Sequence, residues 1–96
     1  MVYISGPITG TTDYMERFAK AEQTLRELDL VPINPARVNA QMPIETTYQQ
    51  YMKMAIAMLD MCDTIFMLKG WRNSGGAVFE HHYAEINGKS ILYEKE

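Results

Sequence analysis

Short runs of β-branched and apolar residues alternate along this chain with longer segments of helical period, and this alternation restricts the fold more than any other feature of the sequence. Four runs are predicted to be strands: Val2–Ser5, Leu30–Ile33, Thr64–Leu68 and Ser90–Tyr93. Strands that alternate with helices form βαβ units with parallel strands. Because crossover connections are right-handed, we predict an α/β fold with a four-stranded parallel sheet in the order 2-1-3-4 and helices on both faces.

Three segments have the spacing of apolar residues that a helix requires: Asp13–Leu28, Tyr48–Met61, and a third that begins at Ser74 or Gly75 and ends near Asn87. The first shows the pattern clearly, with Phe18 and Leu25 on one side. Thr11 or Thr12 is expected to cap its start. Gly88 suits the left-handed residue that follows the end of the third helix.

The chain has the length of one domain and the composition of a globular protein. It has 96 residues, of which 47% are hydrophobic and 22% are charged, so we expect a single domain over residues 1–96. A net charge of −3 without a run of Lys or Arg gives no attraction to polymeric nucleic acid. The first residues form neither a basic segment nor a long apolar stretch. We therefore expect no signal peptide, no membrane partner and a cytoplasmic location.

The sequence also limits disulfide and metal chemistry. Cys62 is the single cysteine, which excludes an intrachain disulfide framework and agrees with a reducing compartment. No Cys/His spacing resembles a zinc site, and His81 and His82 are expected at a helix surface beside Glu85 rather than on a metal. We expect no metal and no cofactor, with Cys62 as a small buried apolar residue.

Three segments follow the carboxyl ends of predicted strands: Gly6–Thr12, Asn34–Thr47 and Lys69–Gly76. Open α/β sheets bind their ligands in the crevice at this edge. The middle segment contains Pro35 and Pro43 and is predicted to be a loop, long enough to suggest a role in function. The ligand site is predicted where Ser5–Gly10 meets Ser74–Glu80.

The first of these segments has the residue types of a turn that binds a sugar or a phosphate. Gly6 and Gly10 allow the backbone to approach a ligand, hydroxyl groups supply hydrogen bonds, and the segment leads into a helix whose first N–H groups attract anions. A tight turn from strand to helix that needs glycine and Pro7 for its geometry is an equal alternative.

A glycine-rich turn precedes the third helix, which carries Glu80 near its start. The positive end of the helix dipole favours the ionised carboxylate that a nucleophile requires. The alternative is a solvent-facing acid in the first turns of a helix. Because Ala77 and Ala84 share a helix face with Glu80, we expect Glu80 to point inward, where a chemical role is as plausible as a structural one.

Several motifs resemble those of the nucleoside 2-deoxyribosyltransferase superfamily, which includes deoxynucleoside 5′-monophosphate N-glycosidases and short phage and prophage relatives. The resemblance covers nearly the whole chain. It rests on five segments: Val2–Ile8, Asn34–Ala36, Met58–Asp63, Gly70–Trp71, and Ser74–Ala77 followed by Glu80 and Ala84. The resemblance implies a flavodoxin-like three-layer fold with the site at the strand ends.

The same resemblance implies roles for individual residues. Glu80 matches the glutamate nucleophile of the family, and Tyr3 matches a tyrosine beside it. Ser74 stands where the monophosphate glycosidases place a serine on the 5′-phosphate. The residues expected to bind substrate are Ser5, Gly6, Pro7, Ile8, Gly10, Ser74, Gly76 and Trp71.

Ala55 departs from the family pattern. Members carry an aspartate there, eight residues before the acid that matches Asp63, and it protonates or hydrogen-bonds the leaving base. Loss of such an acid lowers the rate by roughly 10²–10⁴. Three side chains are candidates to replace it: Tyr48, Tyr51 and His81.

Together these features predict an N-glycosidase or deoxyribosyltransferase that acts on a small nucleoside or its 5′-monophosphate through Glu80. A non-catalytic nucleotide-binding or sensing module is the alternative, favoured by Ala55 and by the small size. A protein that acts through protein contacts alone is a third possibility, favoured only by the methionines of the second helix.

Those methionines bear on assembly, since Met52, Met54, Met58 and Met61 do not all point the same way. We predict a homodimer formed through the Tyr48–Met61 helix. Asp60 and Asp63 are expected to cap the end of that helix. Trp71 has two candidate roles of equal weight: stacking on a ligand base, or covering the edge of the sheet.

Overall fold

A computed structural model describes residues 1–95 of the chain, so Glu96 lies outside the described residues. It contains four strands, four α-helices and one 3₁₀ turn: β1 Val2–Ser5, α1 Tyr14–Glu27, β2 Pro32–Ile33, α2 Pro35–Asn39, α3 Tyr48–Asp60, β3 Thr64–Met67, the turn Trp71–Asn73, α4 Gly75–Ile86 and β4 Ser90–Tyr93. The strands form one sheet in the order β2-β1-β3-β4, and every neighbouring pair is parallel. The predicted flavodoxin-like sheet order is confirmed.

The alternation of side chains along β1 divides the core into two layers. Val2 and Ile4 face a cluster that includes Phe18 and Leu25 of α1 and Ala36 of α2. Tyr3, on the opposite face, belongs to a second cluster, which α3 and α4 cover. Because successive strand residues point to opposite faces, a central strand buried on both sides is apolar or hydrogen-bonded throughout, as all four residues of β1 are buried.

The segment between β2 and α3 differs from the predicted loop because it contains the short helix α2. Asn34 caps this helix by accepting a hydrogen bond from the Ala36 N–H at 3.0 Å, and Pro35 occupies its first turn. Proline is favoured there because its missing N–H would have no helical partner and its φ is already helical. The strand before it is also shorter than predicted and begins at Pro32.

Helix ends follow the sequence in part. Gly88 has the predicted positive φ of 69°, and Thr47 caps α3 in a reciprocal pair with Gln50. The prediction that Thr11 or Thr12 caps α1 is wrong: the N-cap is Asp13, whose side chain makes no capping hydrogen bond to the described residues. The Thr11 hydroxyl instead donates to the Ile8 carbonyl.

The prediction for the acids at the end of α3 is also wrong. The C-cap residue is Met61, while Asp60 accepts a hydrogen bond from the Tyr83 hydroxyl and Asp63 accepts one from Thr64. The side chain of Asp60 therefore joins α3 to α4 rather than closing its own helix. Cys62, between them, is buried as predicted.

A small polar network ties the end of β3 to the rest of the fold. The Lys69 backbone N–H donates to the Glu94 carboxylate at 2.8 Å, and the Lys69 carbonyl accepts from Arg17 of α1 at 2.6 Å. Arg17 and Glu94 lie 3.8 Å apart. The start of the β3–α4 loop is thus held by both a neighbouring strand end and a helix. Within residues 1–95, no helix has the length and apolar character needed to cross a membrane.

Candidate active site

A cleft of about 570 Å³ opens at the carboxyl end of β1. Its walls come from β1, from the turn that follows it, and from α1, α2, α3 and the start of α4. Ligand sites of small molecules occupy roughly 300–1,000 Å³, so this cleft has room for a nucleoside. Its position is the one that the strand order predicts, since open parallel sheets bind ligands at this edge.

Glu80 lies at the base of the cleft and is only 7% exposed. The Tyr3 hydroxyl donates to its Oε2 at 2.6 Å, and the Ser5 hydroxyl donates to its Oε1 at 2.6 Å. Tyr3 and Ser5 are two apart on β1 and therefore project from the same face of the strand. Both carboxylate oxygens thus accept hydrogen bonds from the same strand, and Glu80 points inward as its helix face predicts.

The environment of Glu80 acts on its protonation in two opposing ways. Burial raises the pKa of the Glu80 carboxyl above its ordinary value, and the hydrogen bonds from Ser5 and Tyr3 offset part of that rise because they favour the ionised form. No ion pair among residues 1–95 involves Glu80. Burial and the negative charge of Glu80 together hold the pKa of Tyr3 well above 10.0. Tyr3 is therefore a neutral hydrogen-bond donor, and each carboxylate oxygen keeps a lone pair for bond formation.

The turn after β1 only partly belongs to the cleft. Ser5, Gly6 and Ile8 line it, whereas Pro7 and Gly10 are outside its wall. A Cβ added to Gly6 would lie 2.8 Å from Cβ of Leu68. The absence of a side chain at Gly6 is therefore explained by packing against the end of β3, and Gly10 owes its place to a φ of 82°. Each glycine therefore has a structural reason to be there, and Gly6 lines the cleft as well.

The start of α4 forms another part of the wall, where Ser74 and Gly76 lie as predicted. The Ser74 hydroxyl oxygen caps the helix by accepting from the Ala77 N–H at 3.3 Å. Gly75 also lines the cleft, and a Cβ there would meet no atom within 4 Å. Gly75 therefore has neither a positive φ nor a close contact that requires glycine.

Trp71 lies outside the cleft and stacks on His81, with ring centroids 4.2 Å apart. The Arg72 guanidinium lies 4.7 Å from the centre of the Trp71 ring. His81 in turn is 2.8 Å from the Tyr93 hydroxyl and 3.5 Å from Glu85. The arrangement matches the edge-covering role of Trp71 rather than base stacking, and it turns His81 away from the cleft. Of the three candidates for a replacement acid, His81 is the one that does not reach the site.

The other two candidates for the acid, Tyr48 and Tyr51, do line the cleft, and so does Ala55. Ala55, Tyr48 and Tyr51 all come from α3 and face the same space as Glu80. Two amides, Asn39 and Asn73, line it as well and were missed from sequence. Asn39 is at the end of the unpredicted helix α2, so its orientation had no sequence signal. Within the described residues 1–95, no group of three His, Cys, Asp or Glu side chains is placed to hold a metal ion.

The fold and the site define a class: a parallel α/β protein with a hydroxyl-held carboxylate in a cleft at the strand ends. A family model matches residues 1–93, and the chain belongs to that family, the Domain of unknown function (DUF4406). No curated protein sequence matches the chain. Among solved structures, it is similar to the 2-deoxyribosyltransferase from the psychrotolerant bacterium Bacillus psychrosaccharolyticus. The TM-score is 0.77 and the identity is 19%, over 96% of this chain and 69% of that one. At this identity the likeness shows the shared fold.

Proposed function

We propose that this protein is an N-glycosidase or 2-deoxyribosyltransferase that acts on a small nucleoside or its 5′-monophosphate, with Glu80 as the nucleophile. The observation that carries the proposal is the carboxylate itself. Glu80 is buried at the base of a nucleoside-sized cleft, and both of its oxygens accept 2.6 Å hydrogen bonds from β1. The fold shared with a 2-deoxyribosyltransferase supports the same reaction class.

In this reaction a Glu80 oxygen attacks the anomeric carbon while the bond from that carbon to the base breaks, through an oxocarbenium-like transition state. A covalent glycosyl ester forms, and water or a second base then displaces Glu80. Two displacements at one carbon retain its configuration. Tyr3 and Ser5 fix the direction of the carboxylate, so most of its orientation entropy is lost before substrate arrives.

The sugar end of the substrate is assigned to the start of α4 and to the turn after β1. Gly75 and Gly76 present the first N–H groups of a helix, which have no partner in the helical ladder and favour electron-rich oxygens. The Ser74 N–H, by contrast, donates to the Trp71 carbonyl. Ile8 supplies an apolar contact from the opposite wall. Ser5, expected from sequence to bind substrate, is assigned to Glu80 instead because its hydroxyl donates there.

The proposal includes a homodimer formed through α3. Tyr48 is 62% exposed on this helix, and Met61 at its end is 58% exposed. These two residues stand at opposite ends of α3, roughly 20 Å apart along its axis, so a partner that covers both would contact the whole length of the helix. Because Tyr48 also lines the cleft, an interface here would lie beside the site.

A second function, a nucleotide-binding module without catalysis, is supported by one specific observation. Ala55 lines the cleft without any group that could give a proton to a leaving base. In this case Glu80 would bind a sugar hydroxyl rather than attack the anomeric carbon. Binding without turnover would distinguish this module from the enzyme.

The test is to incubate the protein with deoxynucleosides and their 5′-monophosphates and to measure free base by chromatography. Glu80→Gln should abolish base release and leave affinity within a fewfold, because the carboxylate is assigned to bond formation. Glu85→Gln, on the exposed side of the same helix, is the matched control and should retain full activity. Absence of base release with every compound, together with calorimetric binding of one, would replace the enzyme by the binding module.

A further inference from the structure

The cleft has an unusual balance of charge for a site that takes nucleosides. Of the residues 1–95 that the structure describes, those lining the cleft include one with a formal charge, the acid Glu80. Two arginines of neighbouring segments bind elsewhere: Arg17 donates to the Lys69 carbonyl, and Arg72 lies over Trp71 outside the cleft. The side chains of the cleft therefore carry a net charge of −1 when Glu80 is ionised.

Aromatic rings form much of the remaining wall. Tyr14 of α1 lines one side, and Tyr48 and Tyr51 of α3 line the other, while Phe18, only 1% exposed, belongs mainly to the core. The faces of aromatic rings carry negative electrostatic potential and attract cations, most strongly where water is excluded. Carboxylate and rings thus favour the same kind of ligand, which is flat and positively charged.

The chemistry of bond cleavage independently favours a ligand with a positively charged base. A neutral base that leaves a sugar carries away the electron pair of the broken bond and needs a proton or a strong hydrogen bond to stabilise the negative charge. Ala55 supplies neither, and among residues 1–95 the cleft is lined by no imidazole and by no carboxyl group other than that of Glu80. A base that already carries a positive charge becomes neutral as it leaves and needs no acid.

We propose that the substrates are cationic nucleosides, in which the base is a pyridinium ring or an N7-alkylated purine, and that Glu80 with the aromatic walls recognises the charged ring. This inference rests on the proposed function, because it assigns the substrate class of the same site. It also explains why an alanine is sufficient at position 55, because a base that leaves as a neutral molecule does not need a proton from an acid there.

The steps balance without a further reactant. A Glu80 oxygen bonds to the anomeric carbon, the bond to the ring nitrogen breaks, and its electron pair cancels the charge of the departing base. Water then attacks the anomeric carbon, Glu80 leaves as a carboxylate, and one water proton passes to solvent. Each cationic nucleoside therefore gives one sugar, one neutral base and one proton.

The N-terminal end of α4 does not oppose this assignment, because it faces a different part of the ligand. The N–H groups at Gly75 and Gly76 suit the oxygen atoms of the sugar, while the ring lies toward the aromatic walls and Glu80 lies between them at the anomeric carbon. A cationic ring and electron-rich sugar oxygens match the two ends of one cleft.

The experiment compares two compounds that differ by one methyl group and one charge. N7-methyl-2′-deoxyguanosine and 2′-deoxyguanosine are incubated separately with the full chain in slightly acidic buffer, where the methylated ring keeps its charge. Spontaneous base loss is subtracted using Glu80→Gln. We expect kcat/KM to be at least about 100-fold higher for the methylated compound, with a KM lower by at least about tenfold. Nicotinamide riboside and its neutral dihydro form provide a second pair with another sugar.

Ala55→Asp separates recognition of charge from the reactivity of the leaving base. An added acid should raise turnover of 2′-deoxyguanosine by about 100-fold or more, and so reduce the ratio of turnover between the methylated and the unmethylated compound. Equal or faster cleavage of 2′-deoxyguanosine by the wild-type protein would overturn the inference and leave the proposed function standing. Equal KM values for the pair would overturn it too, because the preference would then come from reactivity alone. Failure to cleave any of the four compounds would overturn this inference, whereas the proposed function would then depend on the result with the 5′-monophosphates. Should Ala55→Asp not fold, the KM comparison still decides.

Discussion

At the scale of single residues, Glu80 combines a chemical advantage with a thermodynamic penalty. Its carboxylate is buried, and burial raises its pKa despite the two hydroxyl donors. A raised pKa in the folded state means that folding favours the protonated acid. The ionised form that a nucleophile needs is therefore the form that stabilises the fold less, a conflict that is common at functional sites.

We expect Glu80→Gln to stabilise the protein relative to wild type, and to do so more as the pH rises. The favourable contribution of the protonated acid is fully present below the unfolded pKa of about 4.3 and is lost as the pH increases through the higher folded value. A neutral amide shows no such loss. Urea denaturation at an acidic and a neutral pH should show a gain at neutral pH of order 1 kcal/mol.

Glu85→Gln serves as the control, since this exposed acid has no buried carboxylate to neutralise. A Glu80→Gln effect that is the same at both pH values would contradict the assignment, because it would reflect packing rather than ionisation.

Gly6 and Gly75 both line the cleft but differ in the space around them. A Cβ at Gly6 would lie 2.8 Å from Cβ of Leu68, whereas a Cβ at Gly75 would meet nothing within 4 Å. We expect Gly6→Ala to lower the free energy of unfolding by roughly 1–3 kcal/mol through overpacking. Gly75→Ala should leave it unchanged or raise it by up to about 1 kcal/mol while weakening ligand binding. Chemical denaturation and calorimetry measure the two effects, and a destabilised Gly75→Ala would argue against a ligand role for Gly75.

At the scale of elements, the sequence predicted what depends on long apolar patterns and missed what depends on a few residues. The alternation of strands and helices predicted the order β2-β1-β3-β4, because the helical periods of α1, α3 and α4 are long enough to mark the strands between them. Helix α2 was missed because five residues are too short to show a period. Asn34 and Pro35 are nevertheless a cap and a first-turn residue that could have revealed it.

The site shows the same division between pattern and local geometry. Glu80 and Tyr3 were placed by family resemblance and by helix face, and the structure brings them into hydrogen-bond contact. The strand period alone puts Ser5 on the same face as Tyr3, so its role beside Glu80 was available from the sequence. The direction in which Trp71 leaves its loop had no such signal, since a 3₁₀ turn sets it.

The caps of two helices allow a direct comparison. Thr47 and Gln50 exchange hydrogen bonds of 3.1 and 2.9 Å at the start of α3. We expect Thr47→Ala to lower stability by about 1 kcal/mol. Thr12→Ala, at the exposed approach to α1 where Asp13 is the N-cap residue, should change it by less than about 0.5 kcal/mol. Thermal denaturation of both variants is the measurement. Equal losses of stability would show that the hydrogen bonds between Thr47 and Gln50 do not stabilise the fold.

At the scale of the whole molecule, the fold has the compactness that is typical of a single domain of this length. The radius of gyration is 12.3 Å, close to the roughly 12.5 Å expected for a single compact domain of this length. The sheet separates two apolar clusters, one under α1 and α2 and one under α3 and α4. Both clusters reach the cleft, the first through Tyr14 and Phe18 and the second through Tyr3, whose hydroxyl donates to Glu80.

The proposed homodimer belongs to this scale and can be tested with two methionines. We expect light scattering to give about twice the 11.0 kDa chain mass at tens of micromolar, since an interface of standard size persists at such concentrations. Met61→Lys, at the exposed end of α3, should shift the protein to the monomer. Met15→Lys, 40% exposed on α1, lies on the other face of the sheet and should not. A wild-type protein that remains a monomer would remove the dimer from the proposal.

Trp71 is the single tryptophan of the chain, and its stacking on His81 makes it an intrinsic fluorophore for the β3–α4 loop. The indole contacts residues of the loop and the sheet edge but does not line the cleft. A ligand that changes its emission therefore acts through the loop or through α4, which carries His81, and not by contact with the indole. Titration followed at the tryptophan band thus reports a change in these two elements, and it needs no added label.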